Sequence, residues 1–269
     1  MPSLETRPLV FSVSNRKGGT GKSTTAVNLA AEWAAQGLQT LLIDLDSQGH
    51  ASLGVGVTPS RDQPTVHRIF QEADFALETA LQATVMENLL LVPADQGFEH
   101  SGSAGDLLIL RHQLNRPMIR ERFDIVVLDT PPSLDFLLMN ALAAAHGVII
   151  PLIPHYLASE GVKQLARLFF RIASTVNPTL KLFGLLPVMV DPHIKLHRAV
   201  LADLKHQFGA ARLLRGIRTD IHLAEAFAAH RPIRLHDPKG RGAMDYQLLA
   251  SELLALRGLS FQSTSDLIC

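Results

Sequence analysis

The sequence predicts an α/β fold in which a mainly parallel, twisted sheet carries helices on both faces. Short apolar runs alternate with segments of helical periodicity, and this order is typical of strands joined by helical crossovers. The chain has 269 residues and 47 % hydrophobic content, which suffice for one large core. We expect a single domain over residues 1–256 and a short polar tail over residues 257–269.

Seven apolar runs of strand length are predicted to form the sheet, and each ends close to a motif or a turn. In such sheets ligands bind beyond the carboxyl ends of the strands. We therefore expect the loops after residues 14, 44 and 129 to meet at one site. The predicted strands lie near residues 8–14, 39–44, 89–92, 123–129, 146–151, 182–190 and 212–218.

Helices are predicted wherever apolar residues recur with helical spacing. The segment 51–82 contains Gly54, Gly56, Pro59 and Pro64 and is predicted to be a turn-rich excursion that leads into short helices. The predicted helices lie near residues 21–36, 103–115, 134–145, 159–175, 195–208, 222–229 and 242–256.

A glycine-rich segment, RKGGTGKS over residues 16–23, separates the first predicted strand from the first helix. Glycines allow the backbone to turn tightly and to direct successive N–H groups at phosphate oxygens, and the helix presents its positive N-terminus to the same anion. A lysine at position 22 can reach the β- and γ-phosphates, and the Ser23 hydroxyl is placed to ligate Mg²⁺. The predicted nucleotide-binding residues of this loop are Gly18, Gly19, Thr20, Gly21, Lys22, Ser23 and Thr24.

This loop departs from the usual phosphate-loop pattern, because Arg16 stands where that pattern has glycine and a second lysine, Lys17, follows it. Residues 17–23 resemble the deviant phosphate loop of the ParA/MinD ATPases. Residues 41–49 (LLIDLDSQG) and 123–133 (FDIVVLDTPPS) resemble the second and third motifs of that family. Three further segments match the ParA branch in kind and order: 184–191, 223–226 and 237–243.

The resemblance covers about residues 8–256 and implies a P-loop NTPase fold, ATP and Mg²⁺ as cofactors, and hydrolysis of ATP to ADP and phosphate, slowly without a partner. It implies that Asp129, at the end of an apolar strand, holds Mg²⁺ through water. A helix cap is the alternative role for a carboxylate at a strand end, but the Thr130-Pro131-Pro132 sequence favours the site.

Asp44 ends another apolar strand, where an unpaired carboxylate is costly and usually has a task. The resemblance implies that Asp44 orients the attacking water and that Gln48, in the same loop, contributes to the nucleotide site. Asp46 is a secondary candidate, with a solvated turn carboxylate as the alternative.

Lys17 cannot easily point at the same phosphate as Lys22. The resemblance implies that Lys17 crosses a two-fold axis to the partner's nucleotide, so that ATP favours a homodimer and hydrolysis releases it. Glu160 resembles a position that also reaches across the dimer. Arg16 receives no role beyond a surface charge.

The formal net charge is zero, but residues 193–241 carry ten basic and four acidic side chains, a local charge of +6. ParA relatives use this region to bind DNA without sequence preference, through phosphates. A solvated face is the alternative. The candidate DNA-binding residues are Lys195, Arg198, Arg215 and Arg218.

Other features restrict the partners and the location. No uncharged apolar run is long enough to span a membrane, and the tail lacks the basic amphipathic pattern of the MinD branch, so no membrane contact is expected. The single cysteine, Cys269, suits a reducing cytoplasm and excludes a cysteine-bridged iron–sulfur cluster. His193 and His197 lack thiol or acidic ligands nearby, which disfavours a metal site.

These features together predict a cytoplasmic, nucleoid-associated ParA-type ATPase that positions or partitions a cargo and is released when an adaptor protein stimulates hydrolysis. The cargo could be a plasmid, a chromosome or a protein organelle, and segments 93–100 and 131–145 resemble carboxysome-positioning, McdA-like members. Two alternatives stay open. One is a nucleotide-gated scaffold or regulator with negligible hydrolysis, and the other is a MinD-like ATPase that cycles on a surface.

Overall fold

A computed structural model describes residues 8–58, 63–98, 105–133, 135–156 and 158–262. Its centre is a seven-stranded sheet with the strand order β3-β4-β2-β5-β1-β6-β7. The predicted tail beyond Gln262, Cys269 and the start of the predicted 103–115 helix lie outside the described residues. The strands are β1 (Leu9–Val13), β2 (Thr40–Asp44), β3 (Gln82–Ala83), β4 (Leu89–Val92), β5 (Ile125–Asp129), β6 (Gly147–Leu152) and β7 (Leu182–Pro187).

The strand pairs are parallel except at one edge, where the two-residue β3 runs antiparallel to β4. The three central strands β2, β5 and β1 are apolar over most of their length because helices cover both faces of the sheet. The mainly parallel α/β prediction is therefore confirmed.

Ten α-helices are described, and three short 3₁₀-helices lie at Val66–Phe70, Leu77–Ala80 and Ala210–Arg212. The α-helices are α1 (Lys22–Ala35), α2 (His50–Gly54), α3 (Ile109–Leu114), α4 (Pro117–Arg120), α5 (Phe136–Ala144), α6 (Ala158–Thr175), α7 (Lys195–Phe208), α8 (His222–Ala228), α9 (Ile233–His236) and α10 (Arg241–Gln262).

The core consists of two apolar clusters, one on each face of the sheet. Successive side chains of a strand point to opposite faces, so Leu41 and Ile43 join one cluster while Leu42 joins the other. Helices α5 and α6 cover the first face, and α1 and α10 cover the second. Trp33 of α1 stacks on Phe11 and donates its indole N–H to a carbonyl of α10, which fixes α1 against both layers.

Three predicted elements differ from the structure. Residues 212–218 do not form a strand: they run beside β7 as an extended segment with two isolated parallel bridges, Leu185–Leu213 and Val190–Arg218. The predicted 103–115 helix is shorter, because α3 begins only at Ile109 and a separate turn, α4, follows at Pro117. The C-terminal helix α10 is longer than predicted and continues to Gln262.

The carboxyl ends of the central strands meet, as the positions of the motifs predict. Val13 at the end of β1 is in register with Asp129 at the end of β5, and Asp129 is in register with Asp44 at the end of β2. All three sequence motifs therefore converge on one edge of the sheet.

Gly54 is the contact point of three helices and gives a test of this packing. A Cβ at Gly54 would lie 2.9 Å from Val27 Cγ2 of α1 and 3.0 Å from Phe227 Cζ of α8. We expect Gly54→Ala to lower the free energy of unfolding by about 1–3 kcal/mol, measured by urea denaturation. The matched control is Gly161→Ala in α6, where nothing lies within 4 Å of the added Cβ. Helix propensity predicts a gain of about 0.5–1 kcal/mol there, and a neutral Gly54→Ala would contradict the packing.

Candidate nucleotide and magnesium site

The phosphate loop leads directly into α1, and residues 16–19 of the loop are exposed. Gly19 and Gly21 have φ values of 70° and 76°, the left-handed region that glycine enters without strain. Helix α1 begins at Lys22 with no side-chain cap on its N-terminal N–H groups. These free donors, together with the helix dipole, favour an anion at this position.

Lys22 is 7 % exposed. Its Nζ donates to the carbonyl oxygen of Lys17 at 3.5 Å, which places it at the mouth of the loop. Burial lowers the pKa of Lys22, and the nearby carboxylates of Asp129 and Asp46 oppose that shift. A phosphate bound at the loop would be a further negatively charged partner for this ammonium.

Asp129 is fully buried, and neither carboxylate oxygen accepts a hydrogen bond of good geometry from a described residue. Burial and the charge of Asp44 raise its pKa well above the usual value, while the nearby Ser23 hydroxyl and Lys22 lower it. A buried carboxylate without donors is costly unless a cation compensates it. Asp129 and Ser23 therefore fit Mg²⁺, and the helix-cap alternative is wrong because Asp135 caps the next helix.

Asp44 is also fully buried but is held by three donors. Its Oδ2 accepts from the backbone N–H and the hydroxyl of Ser52, both at 2.8 Å, and its Oδ1 accepts from Asp46 N–H at 3.2 Å. Burial raises the pKa of Asp44 to about 7 although the Ser52 hydrogen bonds lower it. Ser52 lies on α2, and the sequence offered no signal for its role.

The loop after β2 is tightly folded. Asp46 is 7 % exposed and accepts from Gln48 N–H at 3.1 Å, so the solvated alternative for Asp46 is wrong. Gly49 has a φ of 67°, and a Cβ there would meet the side chain of Gln96 at 3.1 Å. Gln48 itself is exposed at the rim of the site.

Lys17 is exposed on the outer side of the loop. Its Nζ donates to Nε2 of His155 at 2.9 Å, a contact that sequence reasoning missed. Burial and the charge of Lys17 lower the pKa of His155, which is consistent with a neutral ring that accepts this hydrogen bond. Arg16 donates to the side chain of Gln164 on α6. A cavity of about 350 Å³ opens beside them, lined by Asn15, Arg16, Lys17, Pro132, Ser133, Gly161 and Gln164.

Glu160 lies on the first turn of α6, so residues 158–161 are helical and do not form the loop that the sequence predicts. It is exposed and pairs with Lys163 of the same helix at 2.8 Å. The predicted contact of Glu160 across a dimer interface stays a prediction.

The predicted DNA-binding residues divide into two groups. Lys195 is exposed on α7, and Arg198 of the same helix donates to the carbonyl of Pro192 at 2.8 Å. Arg218 instead forms a forked ion pair with Asp245 at 2.8 Å, and Arg215 pairs with Glu252 at 3.4 Å. Both acidic partners belong to α10, so these arginines already have counter-charges within the chain.

Comparison with known proteins places this geometry in a family. A model described as "AAA domain" matches residues 9–182. The chromosome-partitioning ATPase Soj of Thermus thermophilus is 37 % identical over 91 % of this chain and 95 % of its own length. The chromosome partitioning protein ParA of Myxococcus xanthus is 34 % identical over 91 % of this chain and 87 % of its own length. The chain belongs to the ParA/Soj family of ATPases.

Two solved structures are similar to this ParA/Soj chain. Cobyrinic acid a,c-diamide synthase from Mycobacterium smegmatis, with a bound ATP analogue and magnesium, has a TM-score of 0.78 and 32 % identity over 92 % of this chain and 94 % of its own. Apo McdA from Cyanothece has a TM-score of 0.81 at 19 % identity, over 91 % of this chain and 99 % of its own, and so shows the fold alone. The P-loop NTPase fold is confirmed, and ATP with Mg²⁺ fits the residues described above.

The described part of this ParA/Soj chain contains neither a membrane-spanning helix nor a cluster of metal-binding side chains. None of its helices combines the length and the apolar character that crossing a membrane requires. The described residues also contain no group of three or more His, Cys, Asp or Glu side chains that could hold a metal ion. His197 accepts from the N–H of Asp191 at 3.1 Å, which gives this ring a local structural partner. A Mg²⁺ site of the Asp129 type needs fewer protein ligands because phosphates and water complete it.

The buried carboxylates predict a pH-dependent stability in the absence of nucleotide and Mg²⁺. Their folded pKa values are raised above the unfolded value of 3.8, so their stabilising contribution is complete below that value. It is lost as pH rises through the folded values, about 7 for Asp44. We expect the melting temperature of the wild type to fall between about pH 4 and pH 7, the interval between the unfolded and folded pKa values of Asp44.

Asp129→Asn removes one buried charge and should raise the melting temperature at pH 8 by roughly 2–4 °C, flatten the pH dependence, and abolish stabilisation by Mg²⁺–ATP. The exposed Asp74→Asn is the control for a general charge effect. A variant that melts lower than the wild type with an unchanged pH slope would contradict the assignment. Differential scanning calorimetry measures the melting temperature, its dependence on pH and its increase with Mg²⁺–ATP.

Proposed function

We propose that this protein is a partitioning ATPase that forms a homodimer on binding ATP, binds DNA without sequence preference as that dimer, and is released after hydrolysis. The observation that carries the proposal is the convergence of Lys17, Lys22, Asp44 and Asp129 at one sheet edge. Relatives named as chromosome-partitioning ATPases over most of the chain support the cellular role.

Each function that ATP hydrolysis requires can be assigned to a residue of this site. The amides of residues 19–23 and the Lys22 ammonium would bind the phosphates, while Ser23 and Asp129 would hold Mg²⁺. Mg²⁺ supplies charge neutralisation at the phosphate oxygens. A carboxylate has about four lone pairs, and the three donors on Asp44 leave one at Oδ1 free to orient the attacking water.

Lys17 supports the nucleotide-bridged dimer. Its side chain is exposed and donates a hydrogen bond to the neutral His155 ring. Replacing this hydrogen bond by one to a charged phosphate costs little free energy, because hydrogen bonds between charged groups are stronger. The neighbouring cavity lies on the same outer side of the loop. We propose that Lys17 leaves His155 and binds the nucleotide of the partner subunit, and that Glu160 lies in the same interface.

Helix α7 is the proposed main DNA contact. Lys195 and Arg198 are one turn apart and share its exposed face, and a dimer would present two such faces. Arg215 and Arg218 contribute less, because a phosphate would have to compete with Glu252 and Asp245 for them. The affinity for DNA rises with the number of phosphates that the protein neutralises. This would explain why the dimer binds DNA and the monomer does not.

The cargo that we propose is a chromosome or a plasmid together with an adaptor protein that stimulates hydrolysis. Relatives at 34–37 % identity carry chromosome-partitioning names, whereas McdA resembles this chain in fold alone. This favours DNA over the carboxysome as cargo. The proposal places the protein in the cytoplasm, on the nucleoid.

Binding to random duplex DNA tests the dimer and the DNA surface together. We expect retention with ATP but not with ADP or without nucleotide, and loss of retention in Lys17→Ala. The matched control is Lys181→Ala, an exposed lysine at the opposite end of the sheet. Equal binding in all nucleotide states, or a Lys17→Ala variant that binds like the wild type, would contradict the proposal.

A salt series on the same assay locates the DNA-binding surface. Lys195→Ala should weaken binding of every sequence alike and reduce the slope of log K against log salt by about 1 for each phosphate that is no longer neutralised. A slope equal to that of the wild type would exclude Lys195 from the DNA surface. Arg218→Ala is a poor probe because it leaves Asp245 unpaired at 9 % exposure.

Turnover of Asp44→Ala separates the enzyme from a nucleotide-gated scaffold. We expect phosphate release to fall by about 10²-fold or more because the attacking water loses its acceptor, with nucleotide affinity retained. Lys22→Ala should lose nucleotide binding itself. Unchanged turnover in Asp44→Ala would favour the scaffold.

A further inference from the structure

One buried histidine below the catalytic loop has no part in the mechanism described so far. His67 lies in the 3₁₀-helix Val66–Phe70 and has no exposed surface. Its ring fills the space between the loop after β2 and the loop after β4, where it stacks on Phe98 with a centroid distance of 4.1 Å. A polar ring in such a position must use its nitrogen atoms.

The hydrogen bonds of His67 define its tautomer. The backbone N–H of Asp95 donates to Nδ1 at 2.9 Å, so Nδ1 is the acceptor and carries no proton. Nε2 therefore carries the proton and donates to the carbonyl oxygen of Leu45 at 3.2 Å. Burial lowers the pKa of His67 to about 4, although Leu45 and the carboxylates of Asp95, Asp46 and Asp135 act in the opposite direction. The ring is neutral at physiological pH and keeps this tautomer.

The carbonyl of Leu45 belongs to the same peptide unit as the N–H of Asp46. That N–H donates to Oδ1 of Asp44 at 3.2 Å. A trans peptide is planar, with its C=O and N–H pointing in opposite directions. The plane therefore cannot rotate away from His67 without also withdrawing its donor from the Asp44 carboxylate.

The other side of Leu45 is fixed as well, because its N–H donates to the carbonyl oxygen of Asp129 at 2.9 Å. One chain of hydrogen bonds thus runs from Asp95 through His67 and the Leu45–Asp46 peptide to Asp44 Oδ1, the oxygen with the free lone pair. Hydrogen bonds in such a chain polarise and strengthen one another.

We propose that His67 is a positioning residue for hydrolysis, which orients the Asp44 carboxylate through the Leu45–Asp46 peptide plane. This inference rests on the proposed role of Asp44 in hydrolysis. His67 is fully buried and its ring nitrogens bond to the backbone of Leu45 and Asp95, so its replacement should affect the rate of the chemical step and leave nucleotide binding in place. A purely structural histidine would instead change stability alone.

Two variants of His67 separate the donor from the shape of the ring. His67→Phe keeps an aromatic ring stacked on Phe98 but cannot donate to Leu45. His67→Gln carries an amide N–H₂ at the distance of Nε2 and can restore the donor. The stability control is Asn177→Ala, since Asn177 is also buried and donates to two backbone carbonyls, those of Leu142 and Ala145, far from the site.

The measurements are phosphate release at saturating Mg²⁺–ATP, the Kd of a fluorescent ATP analogue, and the melting temperature of each full-length variant. For His67→Phe we expect kcat to fall about tenfold to hundredfold with Kd within about threefold of the wild type. His67→Gln should recover most of the rate, and Asn177→Ala should lose stability without this decrease of kcat. A His67→Phe variant with wild-type kcat, or one whose kcat follows melting temperature as in Asn177→Ala, would overturn the inference.

A measurement on the wild type does not depend on the folding of any variant. Long-range ¹H–¹⁵N spectra of ¹⁵N-histidine-labelled protein report the tautomer of each ring, and His67 should show a protonated Nε2 with no titration between about pH 5 and pH 8. A protonated Nδ1, or titration near pH 6.5, would overturn the inference. Asp44→Ala is assayed alongside: absence of turnover in the wild type would remove the proposed function and this inference together. Turnover that needs Asp44 but not the His67 donor would remove the inference alone.

Discussion

Two buried carboxylates with too little positive charge around them form the constraint on which this site depends. Asp44 and Asp129 end adjacent parallel strands in direct register, and burial raises the pKa of both. Lys22 is the nearby cation, and burial weakens its own charged form. An arrangement of this kind is unfavourable until a metal ion and phosphates complete it. The stability of the loops around it is thereby coupled to the nucleotide.

The two carboxylates have different hydrogen-bond partners, and this difference suits them to different roles. Three donors from Ser52 and Asp46 fix Asp44, whereas Asp129 has no geometrically complete hydrogen bond from a described residue. A fixed carboxylate suits the orientation of a water molecule, and an unpartnered one suits a cation. The supporting hydrogen bonds therefore converge on Asp44, which is linked through its peptide neighbours to α2 and to His67.

The sequence predicted the fold well where physical signals were strong and local. Apolar strands between turns located six of the seven observed strands, and helical periodicity placed α7 at its observed bounds. Residues 212–218 were predicted as a strand because Leu213, Leu214 and Ile217 are apolar. Their side chains do enter the core or its margin, but the segment pairs with its neighbour only through the isolated bridges Leu185–Leu213 and Val190–Arg218. The two-residue β3 carried no periodic signal at all.

The sequence by itself determined the phosphate loop, the strand-end carboxylates and their convergence, since glycine content, an apolar run and a terminal Asp are local features that parallel topology brings to one edge. Only the tertiary structure decided the partners of these residues. Ser52, His67 and His155 are ordinary in sequence and acquire their roles because separate loops place them within 3.2 Å of Asp44, Leu45 and Lys17. It also decided that Arg215 and Arg218 meet acids of α10, since an ion pair between distant segments depends on packing and leaves no periodic trace in the chain.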